Sequence, residues 1–341
     1  MNTFTSTPAA PRERGREFGE ANREGVHRTV AAYGELIDLR SGDLAPIRAV
    51  SAQLAEEIEG IAEGAALPVH EVAALNARTE LLPAGPRGEC STVVALPGDG
   101  RPPISVQTWD WLGALAGNWL VWTIPHPDGR LVRTLTEYGI VGKIGVNDAG
   151  LGLHFNILHH RDDGRGAGVP VHVVARRILD EASTIAEATA IARSATVSAS
   201  TVLTVVAWDG ARSGACALEL SPAGVGVIAP GADGMLLHTN HFLDPGLAAD
   251  EADAEAGSTT RERLAMLAER AGRLAAAADP TSQAGALIDH DAGICCHPED
   301  TGEAEPAATL ATIALDLAGA RVLAHPGGPC EAAGGSGWER V

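Results

Sequence analysis

The residues of this chain best suited to covalent chemistry are Cys90, Asp110 and Asn240. Cys90 opens the run Cys90-Ser91-Thr92-Val93-Val94-Ala95-Leu96, and Pro97-Gly98-Asp99-Gly100 reads as the turn of a β-hairpin. The return strand, Ile104-Ser105-Val106-Gln107-Thr108-Trp109-Asp110-Trp111, is expected to end at Asp110 and to bring its carboxylate beside the thiol. That arrangement suits a chain that cuts itself between Glu89 and Cys90. The thiol would attack the Glu89 carbonyl, the acyl group would move from nitrogen to sulfur, and water would release it. Cys90 would then carry both a nucleophilic sulfur and an α-amine, whose unperturbed pKa of roughly 7.7–8.0 suits a base. Taken alone, Cys90 is a small buried hydrophobe and Asp110 a turn-capping acid. The apolar residues around Asp110 argue against a solvent-facing carboxylate, and burial without a partner is costly.

Asn240 follows Leu236-Leu237-His238-Thr239, a strand that reads as buried. Its amide would donate to the oxyanion of a tetrahedral intermediate; the plainer alternative is an Asn ending a strand in the left-handed region. Four of the six tryptophans, Trp109, Trp111, Trp119 and Trp122, flank Asp110. They line an acyl pocket or fill the hairpin core, and strand alternation puts Trp109 and Trp111 on the face opposite Asp110. Lys143 lies in an apolar strand, where it would touch substrate or pair with Glu137. His238 and His241 flank Asn240, with His241 expected to shape the pocket as a packed, hydrogen-bonded ring. His159-His160 and Cys295-Cys296-His297 lie elsewhere. They show neither Cys-x-x-Cys nor His-Glu-x-x-His spacing, so no metal site is expected.

Cys90-Ser91-Thr92 at a strand start and Gln107-Thr108-Trp109-Asp110 on its return resemble the isopenicillin N acyltransferase family of N-terminal-nucleophile hydrolases. Two later stretches, Thr136-Glu137-Tyr138-Gly139-Ile140-Val141-Gly142-Lys143-Ile144-Gly145-Val146-Asn147 and Leu237-His238-Thr239-Asn240-His241-Phe242, resemble it too, in the family's order. The resemblance implies Cys90 as nucleophile, Asp110 in the site, Asn240 in the oxyanion hole, no cofactor, and a four-layer αββα sandwich. This sequence departs from the pattern at Glu89, where the acyltransferase-type site has glycine, and at Cys296, where relatives often have arginine.

The elements that must position these residues divide the chain at the cut site. Residues 1–15 read as a disordered N-terminus. Residues 16–89 read as a helical pro-segment that stays bound after cleavage, because its helices carry apolar stripes. One is expected from about Arg16 to Leu39; a second starts near Pro46, with Ile47, Val50, Leu54, Ile58 and Ile61 as its stripe and Glu56, Glu57 and Glu59 largely off it; a third starts near Pro68. Residues 90–341 read as the catalytic domain. Strands run from 90 to 158, a helix pair follows, with Thr184-Ile185-Ala186-Glu187 as a capping box, strands return from 201 to 239, an acidic Ala-rich helical region covers 250–279, and two strands close the chain. This is an α+β pattern, mixed and mostly antiparallel, and the helix pairs suggest two stacked sheets covered on both outer faces.

With 341 residues, 45% of them hydrophobic, the chain can bury a large core. A formal net charge of −19 argues against nucleic acid and anionic membranes as partners. Five irregularly spaced cysteines point to a reducing compartment rather than a disulfide framework. With no N-terminal apolar segment and no run near the ~20 apolar residues of a membrane span, the expectation is a cytoplasmic amidohydrolase or acyltransferase acting on a small linear amide. The alternatives are an acyl-coenzyme A-dependent N-acyltransferase and a non-cleaving binding protein of the same fold.

Overall fold

The computed structural model describes residues 2–83, 88–252, 258–297 and 307–341. In chain order, strand β1 (Asn2–Thr5) precedes six helices, α1 (Pro11–Ala21), α2 (Arg23–Gly34), α3 (Ala45–Val50), α4 (Ala52–Ala65), α5 (Val69–Asn76) and α6 (Arg78–Leu81). Strands β2 (Cys90–Ala95), β3 (Ile104–Leu112), β4 (Trp119–Pro125), β5 (Leu131–Glu137), β6 (Ile144–Asn147) and β7 (Leu151–Ile157) follow. Then come α7 (Val171–Glu181), α8 (Ile185–Ser194), β8 (Thr201–Trp208), β9 (Ser213–Ser221), β10 (Gly224–Ile228) and β11 (Met235–His238). The last elements are α9 (Pro245–Ala248), α10 (Thr260–Glu269), α11 (Ala271–Ala275), α12 (Pro280–Leu287), β12 (Ala307–Asp316), β13 (Arg321–Pro326), α13 (Pro329–Ala332) and β14 (Glu339–Arg340).

The strands form an eight-stranded sheet, β1-β4-β5-β6-β7-β8-β9-β10, and a six-stranded sheet, β11-β2-β3-β12-β13-β14. The sheets face each other through β2 on β7 and through β12 and β13 on β5 and β6. Helices α7 and α8 cover the outer face of the first sheet, and α10, α11 and α12 cover β2, β3 and β11 of the second. The expected α+β, four-layer αββα architecture is therefore what forms. Among the described residues, no helix is long and apolar enough to cross a membrane.

Four expectations about the N-terminal region need correction. Residues 2–15 carry regular structure: β1 pairs in parallel with β4, and α1 begins at Pro11. The alternation in Thr3-Phe4-Thr5 suits an edge strand, Phe4 meets Phe18 edge-on at 5.5 Å, and Trp122 Nε1 donates to Ser6 Oγ at 3.1 Å. The long first helix is two, broken at Asn22, and the second expected helix breaks at Ser51, whose Oγ caps α4 by accepting from Leu54 N at 3.2 Å. Glu57 lies on the buried side of α4: Arg14 of α1 and Arg176 of α7 both pair with it, and all three side chains are buried. Helices α1 and α4 approach so closely that a Cβ on Gly15 or Gly64 would strike the facing helix backbone. The helices before Cys90 are thus tied by charge and by packing to the layers after it.

Candidate active site

Cys90 begins β2 in the middle of the six-stranded sheet, paired directly with Trp109 of β3. That register sets the site. Cys90, Trp109 and Trp111 share one face, and Asp110 points to the other. The expected placement of the Asp110 carboxylate beside the thiol is therefore corrected by one residue, and β3 continues past Asp110 to Leu112. What Asp110 brings to the Glu89–Cys90 peptide is its backbone: its N–H donates to the Glu89 carbonyl at 2.9 Å.

The other side of the Glu89–Cys90 peptide is held as well. Cys90 N–H donates to Asn240 Oδ1 at 2.8 Å, and Asn240 Nδ2 donates to Ile157 O at 2.9 Å. The backbone of Asn240 is fixed by Thr260, whose Oγ1 accepts from Asn240 N–H at 2.7 Å. Asn240 thus holds the Cys90 nitrogen, and its Nδ2 is committed to Ile157 rather than to the Glu89 carbonyl.

Two further residues, unmarked in the sequence, converge on this peptide. Arg263 of α10 is fully buried and donates to Cys90 O at 2.8 Å, Ser91 Oγ at 2.9 Å and Asn240 Oδ1 at 3.1 Å. Its Nη2 also pairs with Glu89 Oε1 at 3.0 Å. Glu89 further accepts from Ser258 Oγ at 2.6 Å and Thr259 Oγ1 at 3.2 Å, so the departure at this position is built into the site rather than left in solvent. Asn156 of β7 reaches across from the other sheet, donating to Cys90 O at 3.2 Å and to Thr239 O at 3.1 Å. The signal for Arg263 was its spacing: it stands four residues before Leu267 on the buried face of α10.

Burial dominates the electrostatics. It pushes the Cys90 thiol up to about 11; the Asp110 carboxylate adds to this and Lys143 opposes it. Burial pushes Asp110 up to about 7, against the Thr309 hydroxyl opposite it and the charge of Arg263. Neither Asp110 oxygen has a hydrogen-bond partner among the described residues. A carboxyl whose pKa rises from 3.8 to about 7 on folding favours the native state fully below pH 3.8, and that stability is lost as pH climbs to about 7. In an uncleavable Cys90→Ala background, Asp110→Asn is expected to flatten the fall in Tm between pH 4 and 7. A parental slope in the variant would show that Asp110 is not the group responsible.

Lys143 does not lie within a strand. It precedes β6, in the turn that follows Gly139 at φ +93°. Its Nζ is 3.6 Å from Glu137 Oε2 and 3.4 Å from the centroid of the Trp109 ring. Burial pulls its pKa down to about 7 despite Glu137. Glu137 is shared with Arg78, at 2.6 Å, and with the Tyr33 hydroxyl; Trp111 Nε1 donates to that hydroxyl at 2.7 Å. Tyr33 and Arg78, both ahead of Cys90 in the chain, therefore support the wall behind it.

Two cavities meet here. A small one, about 10 Å³, is bordered by Cys90, Trp109, Trp111, Lys143 and Phe155. A larger one, about 410 Å³, is bordered by Leu158, Asn240, His241 and Glu89. Gly88, Trp111 and Ile157 line both, so the segment before Cys90 forms part of the partition. A Cβ at Gly88 would strike Asp110 O and the Trp111 ring, which is why the chain has glycine there. Trp109 and Trp111 are thus cavity walls, whereas Trp122 packs on Phe18 with ring centroids 4.2 Å apart. His241 bonds the Thr239 and Thr260 hydroxyls, and burial pulls its pKa down to about 4, leaving a neutral ring at the cavity wall. His238 is packed away, 2.7 Å from Glu219. Cys296 donates to Ala307 O at 3.3 Å and is not among the residues lining either cavity.

Among curated proteins, the chain is 34% identical over 192 residues to the acyl-coenzyme A:6-aminopenicillanic-acid-acyltransferase 40 kDa form of Emericella nidulans. That alignment covers 55% of this chain and 51% of the relative, so it spans about half the relative's length. Among solved structures, penicillin V acylase from Agrobacterium tumefaciens matches with a TM-score of 0.48 at 14% identity, over 70% of this chain and 83% of that one. A variant of conjugated bile acid hydrolase from Clostridium perfringens matches with a TM-score of 0.39 at 11% identity, over 70% and 81%. Both likenesses are distant, and the fold rests on the sheets and helices described above. The acyl-coenzyme A:6-aminopenicillanic acid acyl-transferase family model matches residues 96–328, more than half of the sequence, and the chain belongs to that family.

Proposed function

We propose that the chain cuts itself between Glu89 and Cys90 and then acts as an N-terminal-cysteine amidohydrolase or acyltransferase on a small linear amide. The observation that carries this reading is the grip on both sides of one peptide bond: Asp110 N–H on the Glu89 carbonyl at 2.9 Å and Asn240 Oδ1 on the Cys90 nitrogen at 2.8 Å.

In the precursor there is no α-amine, and a thiol near 11 needs a base. Lys143, near 7 and bordering the same small cavity, takes the thiol proton. The sulfur adds to the Glu89 carbonyl carbon, and the developing oxyanion receives the Asp110 N–H. The C–N bond then breaks, and the Cys90 nitrogen takes the proton from Lys143. Water hydrolyses the resulting thioester, freeing the Glu89 carboxylate and the Cys90 thiol. Release of Glu89 from Cys90 opens the partition between the two cavities.

In turnover the new α-amine stays against Asn240 Oδ1. Arg263, which shares that oxygen, disfavours the ammonium form and keeps the amine available as base. The thiol proton passes to the amine as sulfur attacks the substrate carbonyl, and then to the departing amine. Asn240, at the wall of the larger cavity, donates to the oxyanion once Nδ2 exchanges Ile157 O for it. The acyl-thioester on Cys90 is resolved by water or by an amine acceptor. The helical segment stays bound through Glu57 and Glu137, and no cofactor is required.

The Emericella relative is named for transfer from an acyl-coenzyme A, which makes coenzyme A-dependent transfer the second reading. The two part in a steady-state assay on an amide donor with increasing amine acceptor. Transfer predicts a product ratio that rises with acceptor. A ratio that ignores acceptor leaves hydrolysis, and absence of any acyl-Cys90 adduct on rapid quenching would contradict both.

A further inference from the structure

His290, His297 and Cys330 are far apart in sequence but converge beyond the β12–β13 hairpin. One ligand atom from each lies within 4.8 Å of the other two. The rings of His290 and His297 stack with centroids 5.4 Å apart and 18° between planes, and Cys330 Sγ is 3.4 Å from His297 Nε2. Cys295 borders the same space: a Cβ built on Gly328 would lie 3.6 Å from Cys330 Sγ and 3.7 Å from Cys295 Cβ. Burial raises the Cys295 thiol, and the backbone and side chain of Cys330 both act on it, so the two sulfurs are neighbours.

We infer that this cluster is a binding site for a borderline divalent transition metal such as zinc, with His290, His297 and Cys330 as ligands and water in the fourth position. Two imidazoles and one thiolate suit such an ion, and the mutual distances of these three atoms suit ligands that share it. Binding releases the Cys330 thiol proton. His290 is exposed and His297 and Cys330 are half-buried, so an ion has a way in. The site would join the start of α13 to the segment that leads towards β12. That segment matters to the active site: Cys296 N–H donates to Thr309 Oγ1 at 2.9 Å, Thr309 N–H donates to Cys296 O at 2.9 Å, and Thr309 stands opposite Asp110. The familiar zinc spacings are absent because the whole β12–β13 hairpin, rather than a short loop, separates His297 from Cys330 of α13.

The test uses untagged full-length protein, stripped with chelator under reducing conditions and titrated with zinc alone and with cobalt(II) as a spectroscopic probe. One zinc per chain is expected, with a tetrahedral cobalt spectrum, a thiolate-to-cobalt charge-transfer band and a higher Tm on loading. Cys330→Ser is expected to weaken binding by more than the about 10–100-fold that loss of an outer-shell partner costs. His290→Gln, at an exposed residue, gives the same direction without endangering the fold. No metal uptake, or unchanged uptake in His290→Gln, would overturn the inference. So would an unreduced, metal-free protein lacking two titratable thiols, which would point to a Cys295–Cys330 disulfide. Neither readout depends on self-cleavage or amide turnover.

Discussion

Replacing Arg263 by methionine is expected to stop self-cleavage, with a rate loss of about 1,000-fold or more, and to destabilise the fold by about 1–3 kcal/mol, the usual cost of leaving buried polar groups without a partner. The change removes four contacts around a single peptide: Cys90 O, Ser91 Oγ, Asn240 Oδ1 and the Glu89 carboxylate. Among the described residues, it leaves the Glu89 carboxylate with the Ser258 and Thr259 hydroxyls. The two losses can be separated. Adding Glu89→Gln to Arg263→Met removes the stranded charge, so stability, read as the urea midpoint, is expected to recover in part while cleavage stays lost. Full recovery of cleavage in the double variant would reduce Arg263 to a counter-ion for Glu89.

Replacing Lys143 by methionine is expected to slow self-cleavage about 100- to 10,000-fold, the range that general-base assistance supplies. The pH profile identifies the cause. In the parent the rate should rise through about pH 7 as Lys143 loses its proton, because burial holds its pKa there. Without that base the rise should move towards the thiol's own value near 11. Lys143→Arg keeps a charge near Cys90 but cannot give up its proton, so it should be as slow as the methionine variant. If arginine restores the rate, Lys143 acts by charge alone. Time courses after refolding, followed by denaturing electrophoresis from pH 5 to 10, give all three curves.

Much of the strand framework was legible because its signals are local. Asp-Gly and Gly-rich turns flank alternating apolar runs, so the hairpins from Cys90 to Leu158 fall close to where turn chemistry puts them. The face opposition of Trp109 and Asp110 follows from the two-residue strand repeat. The register between strands was harder. One residue decides whether Asp110 or Trp109 faces Cys90, and a loop from Leu96 to Pro103 can close either way. Buried charge was least legible. Glu57 read as lying off the buried stripe because it meets Arg14 and Arg176 only when α1, α4 and α7 pack together. Arg263 was hidden for the same reason, among the charges of an Ala-rich helix, although its spacing from Leu267 marked the buried face. The His290, His297 and Cys330 cluster likewise exists only through tertiary contact.

The proposed chemistry requires Cys90 to become an N-terminus. Intact mass under denaturing conditions reads this out, with freshly purified parent beside Cys90→Ala. The parent is expected to separate into residues 1–89 and 90–341, which co-elute before denaturation, while Cys90→Ala remains one chain of 341 residues. A parent that stays whole after prolonged incubation at pH 8, with Lys143 neutral and Glu89 still joined to Cys90, would contradict it. The same fold would then be a binding protein without a free α-amine.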